Sequence, residues 1–135
     1  MAEFQWQMFV RILLAAALGT VVGYEREHEG KPAGIRTHGM VALGAALFTI
    51  VSIYGFGAGD PARVAAQVVT GVGFLGAGAI LHHHDSIRGL TTAAALWVTA
   101  AIGTAGGTGM YALSITTAAV VFLLLRFGPR PHPGA

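Results

Sequence analysis

The sequence contains no cysteine, which excludes disulfides, thiolate metal sites and catalysis by a thiol. Charge is also scarce, because Lys, Arg, Asp and Glu make up only 10% of the 135 residues, whereas soluble domains average about 25%. Eight basic and six acidic side chains are too few to cover a globule of this size with solvated groups. No basic run is present, so we expect no nucleic-acid partner. The hydrophobic share of 54% is too high for a disordered chain, and we expect a protein embedded in the lipid bilayer.

Apolar residues form five stretches, at 8–24, 37–56, 62–81, 90–104 and 110–127. A hydrocarbon core of about 30 Å is crossed by a helix of roughly 20 residues, with about 17 to 25 tolerated. The connections between the stretches are short, which favours antiparallel neighbours. The sequence therefore predicts an all-α bundle of about five transmembrane helices, forming one membrane domain over residues 1–135 with no soluble domain.

The distribution of cations predicts the orientation. Six of the eight Lys and Arg residues lie in the first loop, the third loop and the tail, namely Arg26, Lys31, Arg36, Arg88, Arg126 and Arg130. Cytoplasmic loops of membrane proteins carry this excess of positive charge. We expect a bacterial inner-membrane protein with its N-terminus outside and its C-terminus in the cytoplasm.

Two groups of polar residues flank the spans and are candidate functional residues. We expect the cytoplasmic group to form an ion-pair network that fixes the loops or binds an ion, although solvated surface pairs are a plain alternative. Its members are Glu25, Arg26, Arg36, Thr37, Asp85, Arg88 and Thr91. The outer group either lines a polar vestibule or extends its arginines to the headgroups. Its members are Arg11, Asp60, Arg63 and Gln67.

Small residues predict the helix contacts, because association in lipid depends on close backbone approach. Residues 15, 19 and 23 of the first span, and 91, 95, 99 and 103 of the fourth, form four-residue stripes of Ala, Gly and Thr. We expect the third span to be the most closely surrounded helix, because it contains Gly71, Gly73, Gly76 and Gly78. Residues 71–76 also match G-x-G-x-x-G, but a dinucleotide site needs a preceding strand and a βαβ unit.

One run of residues is a weak candidate for a metal site, since imidazole and carboxylate are transition-metal ligands. It consists of His82, His83, His84 and Asp85. Adjacent residues seldom converge on one ion, and no second cluster has a diagnostic spacing. No nucleophile–base pair can be assembled from the sequence. We therefore expect a protein that is not an enzyme and requires no cofactor, with magnesium as an unproven candidate ligand.

Four stretches resemble the MgtC/SapB family of bacterial inner-membrane proteins. They are ERE at 25–27 followed by KPAGIRTH at 31–38, DPARVAAQ at 60–67, GVGFLGAGAI at 71–80 and RGLTTAAALW at 88–97. The resemblance implies a membrane domain of about five helices and a role in adaptation to low magnesium and in survival inside host cells. In the family that role is associated with restraint of the F-type ATP synthase and with a label of magnesium transport. The soluble C-terminal domain of many members has no counterpart in this sequence, and the histidine run is not part of the motif.

Together, these features predict a homo-oligomeric membrane protein that modulates membrane energetics and does not catalyse a reaction. One alternative is a protomer of a magnesium, proton or small-solute transporter, with a polar path through Arg63, Gln67 and Arg36. Another is a purely structural, lipid-embedded subunit of a larger membrane complex. The centre of every span is dominated by Ala, Gly, Val, Leu and Phe, so a continuous wet path would need backbone groups or subunit interfaces.

Overall fold

The computed structural model describes residues 1–83 and 86–130, and within them the chain folds into five helices. They are α1 (Ala2–His28), α2 (Ile35–Tyr54), α3 (Ala62–Ala79), α4 (Leu90–Thr108) and α5 (Tyr111–Phe127). The first four are long and apolar enough to cross a membrane, and α5 is a shorter apolar helix of 17 residues. The predicted all-α membrane fold is confirmed, and each predicted span lies on a helix.

A short β-hairpin, which the sequence did not predict, joins α3 to α4. Strand β1 (Leu81–His83) pairs antiparallel with β2 (Ser86–Arg88), with Leu81 opposite Arg88. Gly89 then starts α4 with a φ of 87°, a conformation that favours glycine. A Cβ at Gly89 would collide with the carbonyl oxygen of Ala79. The return of the chain onto the end of α3 therefore requires glycine at this position.

Helix α4 lies at the centre of the bundle and packs against all four other helices. Helix α2 packs against both α1 and α4 through pairs of glycines spaced four residues apart. A Cβ at Gly19 of α1 would lie 2.6 Å from the carbonyl oxygen of His38, and one at Gly107 of α4 would lie 2.7 Å from that of Ala46. Gly23 and Gly103 meet the backbone of α2 or the residue before it in the same way. These contacts are the close backbone approach that glycine permits between membrane helices.

The expectation that α3 is the most closely surrounded helix is wrong. Only Val72 and Gly76 of this helix are buried. A Cβ at Gly71, Gly73 or Gly78 would have no atom within 4 Å, and one at Gly76 would make an ordinary contact with Ala93. Glycine permits a close approach but supplies no side chain that attracts a neighbour. Helix α3 therefore packs on α4 and α2 with one face, and three of its four glycines have open space beside them in the single chain.

Both ends of the bundle are defined by contacts between helix termini. Glu29, directly after α1, forms ion pairs of 2.8 Å with Arg130 and 3.8 Å with Arg126. The C-terminal ends of α1 and α5 therefore lie together, at what we call the Glu25 end of the bundle. Arg11, in the first half of α1, contacts the C-terminal residues of α2 and α4, and this opposite end is called the Arg11 end.

Candidate functional site: a buried polar cluster

Four polar side chains are buried where the last turns of α1 meet the first turns of α2 and α4. We call them the buried polar cluster, and its members are Glu25, Arg26, His38 and Thr92, each at most 5% exposed. The local packing explains the burial of the first three. A Cβ at Gly23 would lie 2.7 Å from the Cα of Ile35, so the start of α2 rests directly on the end of α1.

Three members of the cluster form hydrogen bonds, two of them with each other. The Nη2 of Arg26 donates to Thr92 Oγ1 at 2.7 Å and so joins α1 to α4. The Nδ1 of His38 lies 3.0 Å from the carbonyl oxygen of Gly34. Because a carbonyl only accepts, Nδ1 carries a proton, and in the neutral ring Nε2 is then an acceptor. The Arg26–Thr92 bond has a charged donor, which makes it stronger than a bond between neutral groups.

Three other polar atoms of the cluster are buried without a protein partner in the described part of the chain. They are Glu25 Oε1, Arg26 Nε and His38 Nε2. Leaving one buried group unsatisfied costs about 1–3 kcal/mol, and more when the group is charged. The guanidinium nitrogen is a donor, whereas the carboxylate oxygen and the neutral imidazole nitrogen are acceptors. Water can bond to all three atoms, since it donates two hydrogen bonds and accepts others, and the cluster therefore offers polar sites to a small hydrogen-bonding ligand.

The predicted cytoplasmic group is brought together only in part. Glu25 and Arg26 belong to the buried polar cluster, but Arg36, Arg88 and Thr91 are exposed, and Thr37 lies on another face of α2. Asp85 lies outside the described residues. Within residues 1–83 and 86–130 no ion pair joins the members of this group, and the ion pairs at this end belong to Glu29. Among the described residues the expected ion-pair network is not formed, and Arg26 instead donates a hydrogen bond to Thr92.

Sequence reasoning named neither His38 nor Thr92 as a site residue. Thr92 could have been found from the helical period, because it precedes Thr99 by seven residues, or two turns, and Thr99 is fully buried. The predicted stripe starts one residue earlier, at Thr91, which is exposed, whereas its later members Ala95, Thr99 and Gly103 are buried. His38 closes the motif at 31–38, but its burial depends on the contact between α1 and α2, which no local pattern reveals.

The predicted outer group divides into two separate parts at the Arg11 end. Arg11 Nη1 donates to the carbonyl oxygen of Gly107 at 3.1 Å and to the Tyr54 hydroxyl at 3.3 Å. It therefore binds α1 to the ends of α4 and α2. Asp60 Oδ1 instead accepts from the backbone N–H of Ala62 at 2.9 Å and caps α3.

Arg63 and Gln67 form the other part of the outer group. Both are exposed and lie on the first turns of α3. They line the mouth of a groove between α2 and α3. A single polar vestibule built from the whole outer group is therefore not formed in this chain.

The candidate metal run falls at the hairpin. His82 and His83 belong to β1, and His84 and Asp85 lie outside the described residues. In the part of the chain that the structure describes, no group of three His, Asp or Glu residues is arranged to hold a metal ion.

Comparison with known proteins gives a consistent result. The family model described as "MgtC family" matches residues 12–132. The chain is 50% identical over 127 residues to the "Putative magnesium transporter YhiD" of Escherichia coli (strain K12), covering 88% of this chain and 59% of that protein. It is 46% identical over 110 residues to "Protein MgtC" of Brucella abortus (strain 2308), covering 82% of this chain and 45% of that protein. The chain thus spans about half the length of the curated relatives it matches. No solved structure is significantly similar.

Proposed function

This chain belongs to the MgtC family, and from that premise we propose that it is a bacterial inner-membrane protein that supports growth when magnesium is scarce. It acts as a non-catalytic modulator of membrane energetics, with the Glu25 end of the bundle in the cytoplasm. The excess of Lys and Arg at that end supports this orientation. The relatives named for magnesium support the physiological setting.

The buried polar cluster is the observation that carries this proposal. A charged side chain inside a membrane bundle is costly, so such residues mark functional sites by default. Glu25 and Arg26 are both buried at the end of α1, and each retains an unpartnered polar atom. Glu25 and Arg26 form no ion pair with each other among the described residues, and well-packed apolar residues would stabilise a helix contact at least as well as two buried charges. Retention of both charges is therefore better explained by function than by stability.

The chemistry of the cluster favours modulation over passage of magnesium through the chain. Mg²⁺ requires near-octahedral oxygen ligands and keeps several waters. Glu25 is the one buried carboxylate among the described residues, and the guanidinium of the adjacent Arg26 would repel a divalent cation. The hydroxyl of Thr92 already accepts a bond from Arg26, so it is not positioned as a nucleophile beside a base.

Growth at low magnesium tests the proposal. The chain is expressed in a bacterium that lacks its own family member, and Glu25→Gln is compared with Glu27→Gln. Both changes remove one carboxylate charge from the same turn, but Glu27 is exposed. We expect Glu25→Gln to abolish complementation and Glu27→Gln to retain it, with equal amounts of both proteins in the membrane fraction. Full complementation by Glu25→Gln would refute the role of the cluster.

A flux measurement separates modulation from transport. Liposomes containing only the purified protein are loaded with a magnesium-sensitive dye and given a magnesium gradient, with and without a pH gradient. We expect the same dye signal as in empty liposomes, together with a changed membrane potential in energised vesicles from complemented cells. Magnesium entry that depends on the protein would overturn the modulator proposal in favour of the transporter alternative.

A further inference from the structure

An open groove of about 880 Å³ separates α2 from α3 on the lipid-facing side of the bundle. Its floor is formed where the two helices meet the central core, at Val41, Ala45, Val68 and Val72. Apolar side chains of both helices form the walls, among them Met40, Phe48, Val64 and Leu75. The groove exists because α3 leans on α4 and touches α2 along only part of its length.

Two of the three polar side chains that line this groove lie at the Arg11 end, which we call its mouth, and the third, Thr37, lies at the opposite end. Arg63 and Gln67 lie at the mouth, one turn apart on α3, and both are exposed. In the described part of the chain the guanidinium of Arg63 forms no ion pair, and the nearby Asp60 uses Oδ1 to cap α3. A cation that forms no direct ion pair among the described residues therefore stands at the mouth of an apolar groove, an arrangement that is complementary to an anionic head with an apolar tail.

The length of the groove agrees with that occupant. Arg63 and Leu75 are twelve residues apart, which corresponds to about 18 Å along a helix. One leaflet of the hydrocarbon core is about 15 Å thick, half of about 30 Å. An acyl chain that begins at the level of Arg63 would therefore follow the groove through its own leaflet.

We propose that this groove is a binding site for an anionic glycerophospholipid, whose phosphate contacts Arg63 and Gln67 and whose acyl chain lies between α2 and α3. A second copy of the chain is a poorer match for four of its five helices, because α2 to α5 contain no Asp or Glu to bring to Arg63. Helix α1 carries Glu3 in its first turn, and the cross-linking experiment below tests a second copy as the occupant. An apolar occupant without an anionic group would likewise leave this cation unsatisfied.

Two open glycines on α3 allow a test with a matched control. A Cβ at Gly71 or Gly73 would have no atom within 4 Å, so both positions accept a larger side chain without displacing a neighbour. Gly71 lines the groove and Gly73 does not. In native mass spectrometry with phosphatidylglycerol added to the delipidated protein, we expect Gly71→Leu to lose the bound lipid and Gly73→Leu to retain it. Equal retention by both variants would overturn the site.

Arg63 tests the headgroup. One cation near the membrane surface contributes about 1 kcal/mol of attraction to an anionic lipid, or about fivefold in affinity. We expect Arg63→Gln to lose about a fivefold preference for phosphatidylglycerol over phosphatidylcholine of the same chain length, and Arg63→Lys to keep most of it. Glycerol phosphate should not compete at millimolar concentration, because it lacks the acyl chain. An unchanged preference in Arg63→Gln, or competition by glycerol phosphate, would refute the proposed occupant.

Cross-linking tests for a second copy in the groove. Because the chain has no cysteine, Gly71→Cys introduces a single thiol. In phosphatidylglycerol nanodiscs large enough for two copies, we expect no disulfide-linked dimer through this thiol, and rapid labelling by a membrane-soluble maleimide once the lipid is removed. Efficient dimer formation at position 71 would show that the groove is an interface between copies and would overturn the lipid proposal.

Discussion

The glycine contacts between α2 and α4 lead to the sharpest prediction. A Cβ introduced by Gly103→Ala would overlap the carbonyl oxygen of Ala42 and lie 2.9 Å from its Cα. Both obstacles are backbone atoms, so no side-chain rotation relieves the overlap and the two helices must separate. Overpacking of this kind typically costs about 1–3 kcal/mol. For a chain of 135 residues that corresponds to a fall of about 4–10 °C in Tm.

The matched control is Gly73→Ala, on the open face of α3. Nothing lies within 4 Å of a Cβ there, and alanine is a better helix former than glycine by about 0.5–1 kcal/mol. We expect its Tm to stay the same or rise by a few degrees. The measurement is thermal unfolding in one detergent, followed by tryptophan fluorescence and by loss of the monodisperse peak in size-exclusion chromatography.

A double variant extends the test. A Cβ at Gly19 of α1 would meet the Cβ of Ala42, and a Cβ at Gly103 of α4 would meet the carbonyl oxygen of the same residue. Alanine at both positions pushes α2 away from α1 and from α4 at once. A shift of α2 that relieves the overlap on one side therefore increases the overlap on the other. We expect a loss of stability larger than the sum of the single losses, because the two sites share a contacting residue. Equal midpoints for Gly103→Ala and Gly73→Ala, or strict additivity of the pair, would refute the reasoning.

The remaining predictions concern the Glu25 end. Thr92→Val removes the acceptor of a buried charged donor and should cost about 1.5–3 kcal/mol in thermal unfolding, whereas the exposed Thr91→Val should stay within about 0.5 kcal/mol of the parent. The hydrogen bond from Arg130 holds the pKa of Glu29 below its ordinary value. Arg130→Gln should therefore reduce stability slightly at neutral pH, and the difference from the parent should vanish as the pH falls through that lowered pKa, because protonated Glu29 no longer forms the pair. Reporter fusions should place the C-terminus in the cytoplasm and the N-terminus outside, and the reverse pattern would contradict the orientation.

The sequence predicted the helices well because a bilayer imposes a simple constraint. An apolar stretch near 20 residues must satisfy its own backbone hydrogen bonds, and in a single segment only a helix does so. The spans at 37–56, 62–81 and 110–127 agree with their helices to within three residues at each end. The hairpin was missed because its two strands are only three residues long, too short to show an alternating pattern, and because Gly89 is required by its contact with the end of α3.

Residue contacts were predicted less well because they depend on the rotation of each helix. The sequence of a glycine run does not show whether a neighbouring helix packs against it or whether the space beside it is empty. Gly103 and Gly73 differ only in what lies opposite, which is the backbone of α2 in one case and open space in the other. In the same way Arg26 and Arg36 both border the first loop, but only Arg26 turns inward to meet Thr92. Charge patterns locate the end of the bundle at which polar residues gather, and the packing then decides which of them are buried.

Helix α2 links the two candidate sites, because adjacent residues of its first turn face different surroundings. His38 is fully buried in the polar cluster, while Thr37 lines the groove beside α3. On the side that faces α1 and α4, the helix is held by close backbone contacts, which a change of side-chain rotamer cannot relieve. On the side that faces α3, it borders open space. A lipid in the groove can influence the buried polar cluster by moving α2, which carries His38, or by moving α3 against α4, which carries Thr92. Filling the groove with Gly71→Leu should leave growth at low magnesium intact, and loss of growth in that variant would show instead that the two sites are coupled through a displacement of these helices.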